Sequence, residues 1–258
     1  MTTVILLKFL AAIVAGYLIG SIPFGVLIGR RFAKVDVRNF GSGKMGTTNV
    51  LRVAGKKAAA LVFILDLSKG AIAVVVAWLL LRGEYQAEIG TLVWYMLRSA
   101  TALAALAAIA GHIWPIFLKF KGGRGVATFY GGMFALCPAV AFFSGQVFIL
   151  GASTTKFVSL ASIAGAVATY VILVPLTIFS GFPWENLLYG LAGSIAIIIT
   201  HRDNIVRLVN GKERKLGEPA ETSNNPTAET SGPKMSRAYA PVRLGPTQLK
   251  WSRQNLHR

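Results

Sequence analysis

Three short stretches of the chain combine glycine, a basic residue and an amide or hydroxyl side chain. The first is 36–52, DVRNFGSGKMGTTNVLR. Within it Gly41-Ser42-Gly43 and Gly46-Thr47-Thr48-Asn49 offer closely spaced backbone N–H groups beside hydroxyls. Glycine lets a backbone approach an anion and bend into a concave nest of donors. Arg52 follows Asn49 by about one turn if 47–57 is helical. The second stretch is 119–128, KFKGGRGVAT, in which Lys121 and Arg124 flank a glycine pair that opens into an apolar run. A basic glycine loop feeding a helix N-terminus suits phosphate, because free N–H groups and the helix dipole both favour an anion. The third is 201–207, HRDNIVR, with His201 and Asn204. Glycine beside Lys or Arg is ordinary at a membrane boundary, so no one stretch identifies a phosphate site by itself.

Several other chemistries are excluded. Gly41-Ser42-Gly43-Lys44 has the outline of a P-loop, but Met45 follows the lysine and no strand precedes it, which removes nucleotide hydrolysis. A soluble-type acyltransferase pairs a His with an Asp five positions on. After His112 and His201 those positions hold Phe117 and Val206, and the remaining His257 is near the C-terminal end. Asp36 and Asp203 are the carboxylates close to the three stretches. Asp66 and Lys69 stand one turn apart in an apolar run, and a mutually neutralising pair is the reading favoured there. Cys137 is the single cysteine, so neither an internal disulfide nor a cysteine-based metal site is expected.

These stretches need elements to hold them, and composition says which kind. Of the 258 residues, 54% are hydrophobic and 14% charged, against about 25% charged in a soluble domain. The apolar residues fall in blocks at 4–29, 58–81, 91–117, 126–154, 157–180 and 184–200, lengths that suit a bilayer core of roughly 30 Å. The first block lacks a signal-peptide cleavage pattern and reads as a retained first helix. Basic residues are uneven between blocks. Segment 30–57 carries Arg30, Arg31, Lys34, Arg38, Lys44, Arg52, Lys56 and Lys57 against Asp36, and 118–125 carries Lys119, Lys121 and Arg124 with no acid. The formal charge of +17 therefore reads as positive-inside bias and contact with anionic lipids, not as a nucleic-acid footprint.

With both basic loops and the C-terminus cytoplasmic, the block 126–154 must cross an even number of times. Pro138 lies near its middle and breaks a helix at the residue before it. The block therefore splits into about 126–136 and 138–154, and a re-entrant hairpin that never reaches the far side satisfies the same parity. The fold class expected is an all-α polytopic membrane protein of seven transmembrane helices with one short or broken pair, the N-terminus outside. Residues 212–258 are rich in Pro, Ser, Thr, Asn, Glu and Lys with little aliphatic periodicity and are expected to form a disordered basic cytoplasmic tail.

At its three polar stretches the sequence resembles the bacterial acyl-phosphate:glycerol-3-phosphate acyltransferases (PlsY). The resemblance covers about residues 16–217 and rests on GSIPFGVLIGRR running into DVRNFGSGKMGTTNVLR, on GHIWPIFLKFKGGRGVAT and on HRDNIVRLVNG, with LDLSKG and VSLAS in support. It implies a seven-helix acyltransferase domain over 1–211 in the bacterial inner membrane. The activity implied is movement of a fatty acyl group from acyl phosphate to glycerol 3-phosphate, without a cofactor. Carried onto this chain, it implies catalytic roles for Ser42, His201 and Asn204. It implies substrate or phosphate binding by Gly41, Gly43, Gly46, Thr47, Asn49, Arg52, Lys121, Arg124 and Ser162. Lys44 stands where the family usually has Asn, and Arg124 where it usually has Lys. Two other classes fit parts of the pattern. A transporter of organic phosphates also uses basic groups at broken helices, but the hydropathy shows no repeat between halves. A lipid-binding scaffold explains the charge but not the three glycine stretches.

Overall fold

The computed structural model describes residues 2–87 and 91–218. The expected tail lies outside the described residues except for Lys212–Glu218. Among the described residues every regular element is a helix: α1 (Thr2–Ser21), α2 (Phe24–Ala33), α3 (Thr47–Ala87), α4 (Thr91–Ile113), α5 (Val126–Leu136), α6 (Pro138–Thr155), α7 (Val158–Ser180), α8 (Trp184–Thr200) and α9 (Arg202–Val209), with short 3₁₀ turns at Val37–Asn39 and Ile116–Leu118.

Local sequence explains where these helices stop. The first apolar block was expected as one helix, and it is two. Pro23 lacks an N–H and disfavours helix at Ile22, so α1 ends at Ser21 and α2 starts at Phe24. The second block extends to Thr47 and bends at Gly55, whose φ of 82° and ψ of 180° belong to glycine. Residues 47–54 thus form a short arm before the apolar part of α3. The break at Cys137-Pro138 stands where expected: Cys137 is non-helical (φ −153°) and Pro138 opens α6.

Among the described residues five helical segments are long and apolar enough to cross a membrane: Thr3–Ala33, Thr47–Gly83, Val93–Leu118, Pro138–Thr155 and Val158–Ser180. The apolar helices α5 and α8 are shorter. Large apolar side chains such as Leu7, Ile64, Phe143, Ile178 and Phe179 are more than half exposed, as surfaces facing lipid require. At about 1.5 Å per residue α5 reaches only about half of a 30 Å hydrocarbon core.

That short helix is nevertheless central. It packs against α3, α4, α6 and α8, and Thr128 through Met133 are all buried. Phe129 stacks on Tyr189 of α8, with ring centroids 5.5 Å apart and planes 3° from parallel. The Tyr189 hydroxyl donates to the Phe129 carbonyl oxygen at 2.8 Å. Against α3 the contact is backbone to backbone. A Cβ on Gly70 would stand 2.0 Å from the Thr128 carbonyl oxygen, and one on Gly131 would stand 1.8 Å from that of Leu67. Small residues let helices approach this closely in lipid, where no hydrophobic force drives them together. The Thr128 hydroxyl donates to the Asp66 carbonyl oxygen at 3.0 Å across the same seam. Gly131→Val should force α3 and α5 apart and cost about 1–3 kcal/mol by overpacking. A lowered thermal midpoint in detergent, with an unchanged midpoint for a substitution at exposed Phe143, is the expected result.

Candidate active site

The N-terminal ends of α3, α5 and α7 and the C-terminal ends of α4, α6 and α8 meet at one end of the bundle around a cavity of about 320 Å³. Three helices therefore begin at the cavity, where their free N–H groups and dipoles favour an anion. Because α5 begins and α6 ends there, this pair leaves the face and returns to it, as the charge pattern required.

The wall from the first motif is a folded loop organised by one side chain. Asn49, 2% exposed, donates from Nδ2 to the carbonyl oxygens of Val37 (2.7 Å), Phe40 (3.1 Å) and Lys44 (2.8 Å) and accepts from the Ser42 N–H at 3.1 Å. Its amide is engaged on both sides by the loop, so Asn49 shapes the loop while also lining the cavity. Gly41 and Gly43, also expected to line the pocket, are absent from its wall. Their φ values of 58° and 67° make the turn instead. Ser42, Gly46, Thr47 and Arg52 do line the cavity, and so does Lys44.

From the second motif Arg124 lines the cavity and Lys121 does not. Lys121 is exposed, so its expected phosphate contact is not supported by its position. Burial pushes the Arg124 guanidinium down to about 10, still charged at neutral pH, and its buried Nε has no hydrogen-bond partner. The backbone oxygen of Arg124 accepts from Thr200 at 3.3 Å, tying the loop to the end of α8. Ser162 is 3% exposed on the cavity wall and returns its hydroxyl proton to the Val158 carbonyl oxygen at 2.7 Å.

His201 and Asn204 of the third motif join the same wall. His201 Nδ1 lies 2.8 Å from the Ile197 carbonyl oxygen. A carbonyl only accepts, so Nδ1 carries the proton and Nε2 is the free acceptor. Burial and then the Arg124 charge lower His201 to about 4. The imidazole is therefore neutral at working pH and accepts through Nε2.

The residues that sequence reasoning missed gather around Glu213. Its carboxylate accepts from Asn204 Nδ2 (2.6 Å), Arg207 Nε (2.8 Å) and the Ser159 hydroxyl (2.9 Å). Burial alone would raise this carboxyl, but those three bonds bring it below its ordinary value. Asn204 Oδ1 is left buried without a partner. Glu213, Arg214 and Leu216 reach the cavity. Leu216 N–H donates to the Lys156 carbonyl oxygen at 2.7 Å, and Arg52 donates to the Lys215 carbonyl oxygen at 3.3 Å. The segment 213–216 is thus a strap across the site, and the boundary placed at 211/212 falls just before it. Polar bias hid it; the acid among basic residues was the available signal. Asp66 and His112 also line the cavity, from the helices beneath.

The glycerol-3-phosphate acyltransferase family profile matches residues 10–211. The chain belongs to this family. Glycerol-3-phosphate acyltransferase 3 of Dehalococcoides mccartyi (strain CBDB1) is 56% identical over 83% of this chain and 98% of its own length. The glycerol-3-phosphate acyltransferase of Prochlorococcus marinus (strain NATL1A) is 40% identical over 79% of this chain and 96% of its own. A crystal structure of PlsY (YgiH), an integral membrane glycerol 3-phosphate acyltransferase in its glycerol 3-phosphate form, superposes with a TM-score of 0.69 at 36% identity. It covers 81% of this chain and 96% of that one. The lysophosphatidic acid form of PlsY superposes with a TM-score of 0.67. The resemblance read from the motifs is borne out, and the chain is a membrane acyltransferase, which sets aside the transporter and scaffold readings.

Two outcomes follow from the site. Since His201 is lowered from an unfolded value near 6.5 to about 4, imidazole ¹⁵N shifts should keep it neutral from pH 8 to about 5. Between about 6.5 and about 4 the unfolded state binds the extra proton, so this residue's contribution to stability is present above about 6.5 and fades towards about 4. Ending the chain after Glu218 should leave kcat/KM within about threefold, whereas ending it after Lys212 removes Glu213 and should lower it by about tenfold or more.

Proposed function

We propose that this acyltransferase moves a fatty acyl group from an acyl phosphate to glycerol 3-phosphate, forming lysophosphatidic acid and inorganic phosphate. The observation that carries this reading is the division of the cavity. Arg52, Arg124, Arg207 and Arg214 line it together with Phe63, Val126, Phe148, Ala152 and Val158. Such a wall suits ligands that are anionic at one end and apolar at the other. The related PlsY structures carry glycerol 3-phosphate and lysophosphatidic acid in their names, which supports the acceptor and the product.

In the proposed step a glycerol hydroxyl oxygen attacks the acyl carbonyl carbon, and the bond from that carbon to the phosphate oxygen breaks. A phosphate oxygen of the substrates takes the hydroxyl proton. His201, lowered to about 4, is too weak a base to hold it at neutral pH. His201 Nε2 and Asn204 Oδ1 are acceptors suited to orienting glycerol hydroxyls, and Ser42 offers a hydroxyl on the facing wall. Acyl phosphate is already activated, so alignment and charge stabilisation do most of the catalysis. No protein cofactor enters the step. All seven apolar elements are proposed as spans, counting α1 with α2, with α5 the half-length one. The charge pattern supports the same reading for sidedness: N-terminus outside, site and C-terminus in the cytoplasm, and the basic loops against anionic lipid of the inner membrane.

Purified protein supplied with glycerol 3-phosphate should release phosphate from palmitoyl phosphate and form lysophosphatidic acid. Comparable turnover with palmitoyl-CoA would refute the donor assignment. Arg52→Ala and Arg124→Ala should each lose at least about tenfold in kcat/KM, since a charge-assisted contact contributes about 1.5–3 kcal/mol. Arg124→Lys should retain more by keeping the charge.

A further inference from the structure

Beneath the glycine loop the bundle buries charged groups that the proposed step leaves unused. Lys69 Nζ lies 2.9 Å from Asp66 Oδ1 and donates to the Ile22 carbonyl oxygen at 3.0 Å. The same Asp66 oxygen is 3.6 Å from His112 Nδ1. All three residues are at most 3% exposed. The pair expected between Asp66 and Lys69 therefore exists, and its carboxylate also faces a histidine on α4.

The other side of the His112 ring meets the second motif. A Cβ on Gly123 would stand 2.0 Å from His112 Nε2 and 2.9 and 3.0 Å from the neighbouring ring carbons. The Gly123 N–H donates to the His112 carbonyl oxygen at 3.0 Å, and the Gly122 N–H donates to that of Ile113 at 3.1 Å. The loop thus lies against the Nε2 edge of the imidazole and is joined to the last carbonyls of α4. The next residue is Arg124, on the cavity wall. A glycine pair has no side chains with which to hold itself in place, so the surface beneath it sets its height.

We infer that His112 is a positioning residue. Its ring, held between Asp66 on one side and the glycine pair on the other, seats the Gly122–Gly125 loop, and the loop delivers Arg124 and the N-terminus of α5 to a bound phosphate. Lys69 aims the Asp66 carboxylate and anchors it to the α1–α2 break. The ring acts through the loop and touches no reacting atom. The inference rests on the acyl-transfer reading for its choice of ligand, glycerol 3-phosphate.

A double-variant cycle on the full-length protein in detergent tests it, with glycerol 3-phosphate affinity measured by calorimetry and the thermal midpoint recorded alongside. Gly123→Ala should weaken binding by about tenfold, because its methyl group collides with the ring, and His112→Ala by about three- to tenfold, because the loop loses its seat. In the double variant the collision is gone, so the combined loss should fall short of the product of the two single losses by at least about threefold. Losses that simply multiply would overturn the inference, as would thermal midpoints that drop while affinities stay at the wild-type value. His112→Asn keeps an N–H towards Asp66 and withdraws the ring edge from Gly123. It should relieve Gly123→Ala in the same way and serves where His112→Ala fails to fold; no relief by either variant is also an overturning result. Wild-type protein that binds glycerol 3-phosphate but does not use palmitoyl phosphate removes the donor assignment and leaves this inference to stand on the cycle. Wild-type protein that does not bind glycerol 3-phosphate removes both.

Discussion

The backbone contact between α3 and α5 is the constraint on which the site depends. A helix of 11 residues cannot hold its place in a bilayer through length. It is held by contact, with Gly70 and Gly131 allowing carbonyl oxygens to approach where a methyl group would not fit. Helices this close bring the start of α5 beside Asp66 and Gly70 of α3, and the starts of both helices line one cavity. The two glycine motifs, far apart in sequence, then face one cavity. Thr128 and Tyr189 satisfy backbone carbonyls on either side of α5, so its central position leaves those polar groups paired where water is scarce.

A second constraint is charge. Arg52, Arg124, Arg207 and Arg214 line one small cavity, and like charges in a partly apolar space repel. Glu213 offsets this repulsion while leaving cationic capacity for ligand. Its three bonds order Asn204 and Arg207 and tie the strap to α7 and α9. Neutral groups do the rest of the shaping. Asn49 folds the first loop through its amide alone, and His201 is neutral, presenting an acceptor instead of another positive charge. In the proposed reading the site is thus basic where phosphate is held and neutral where a hydroxyl is oriented.

The helices were legible because apolar blocks and proline act locally. The break at Cys137-Pro138 could be read from one residue type, and so could the even crossing of 126–154, once charge had assigned the sides. The break at Pro23 used the same rule but lay hidden inside a continuous apolar run. Among the site residues, Ser42, Arg52, Arg124, Ser162, His201 and Asn204 do converge on the cavity. Asn49 both lines the cavity and folds the loop, Gly41 and Gly43 belong to the motif only as builders of that loop, and Lys121 is exposed outside the cavity wall. Motif membership alone does not separate a residue that faces the ligand from one that shapes the backbone around it.

The sequence by itself determined the class of the protein, its helical elements and the three segments that carry its chemistry. Hydropathy, proline and glycine act over a few residues, and the motifs are contiguous. Only the tertiary structure decided which atoms of those segments face the cavity. It also decided that the strap around Glu213 closes over the site and that Asp66 and His112 meet beneath it. The contacts that join these parts, Asp66 to His112 and Ser159 to Glu213, link distant parts of the chain brought together by helix packing, and no local pattern in the chain encodes them.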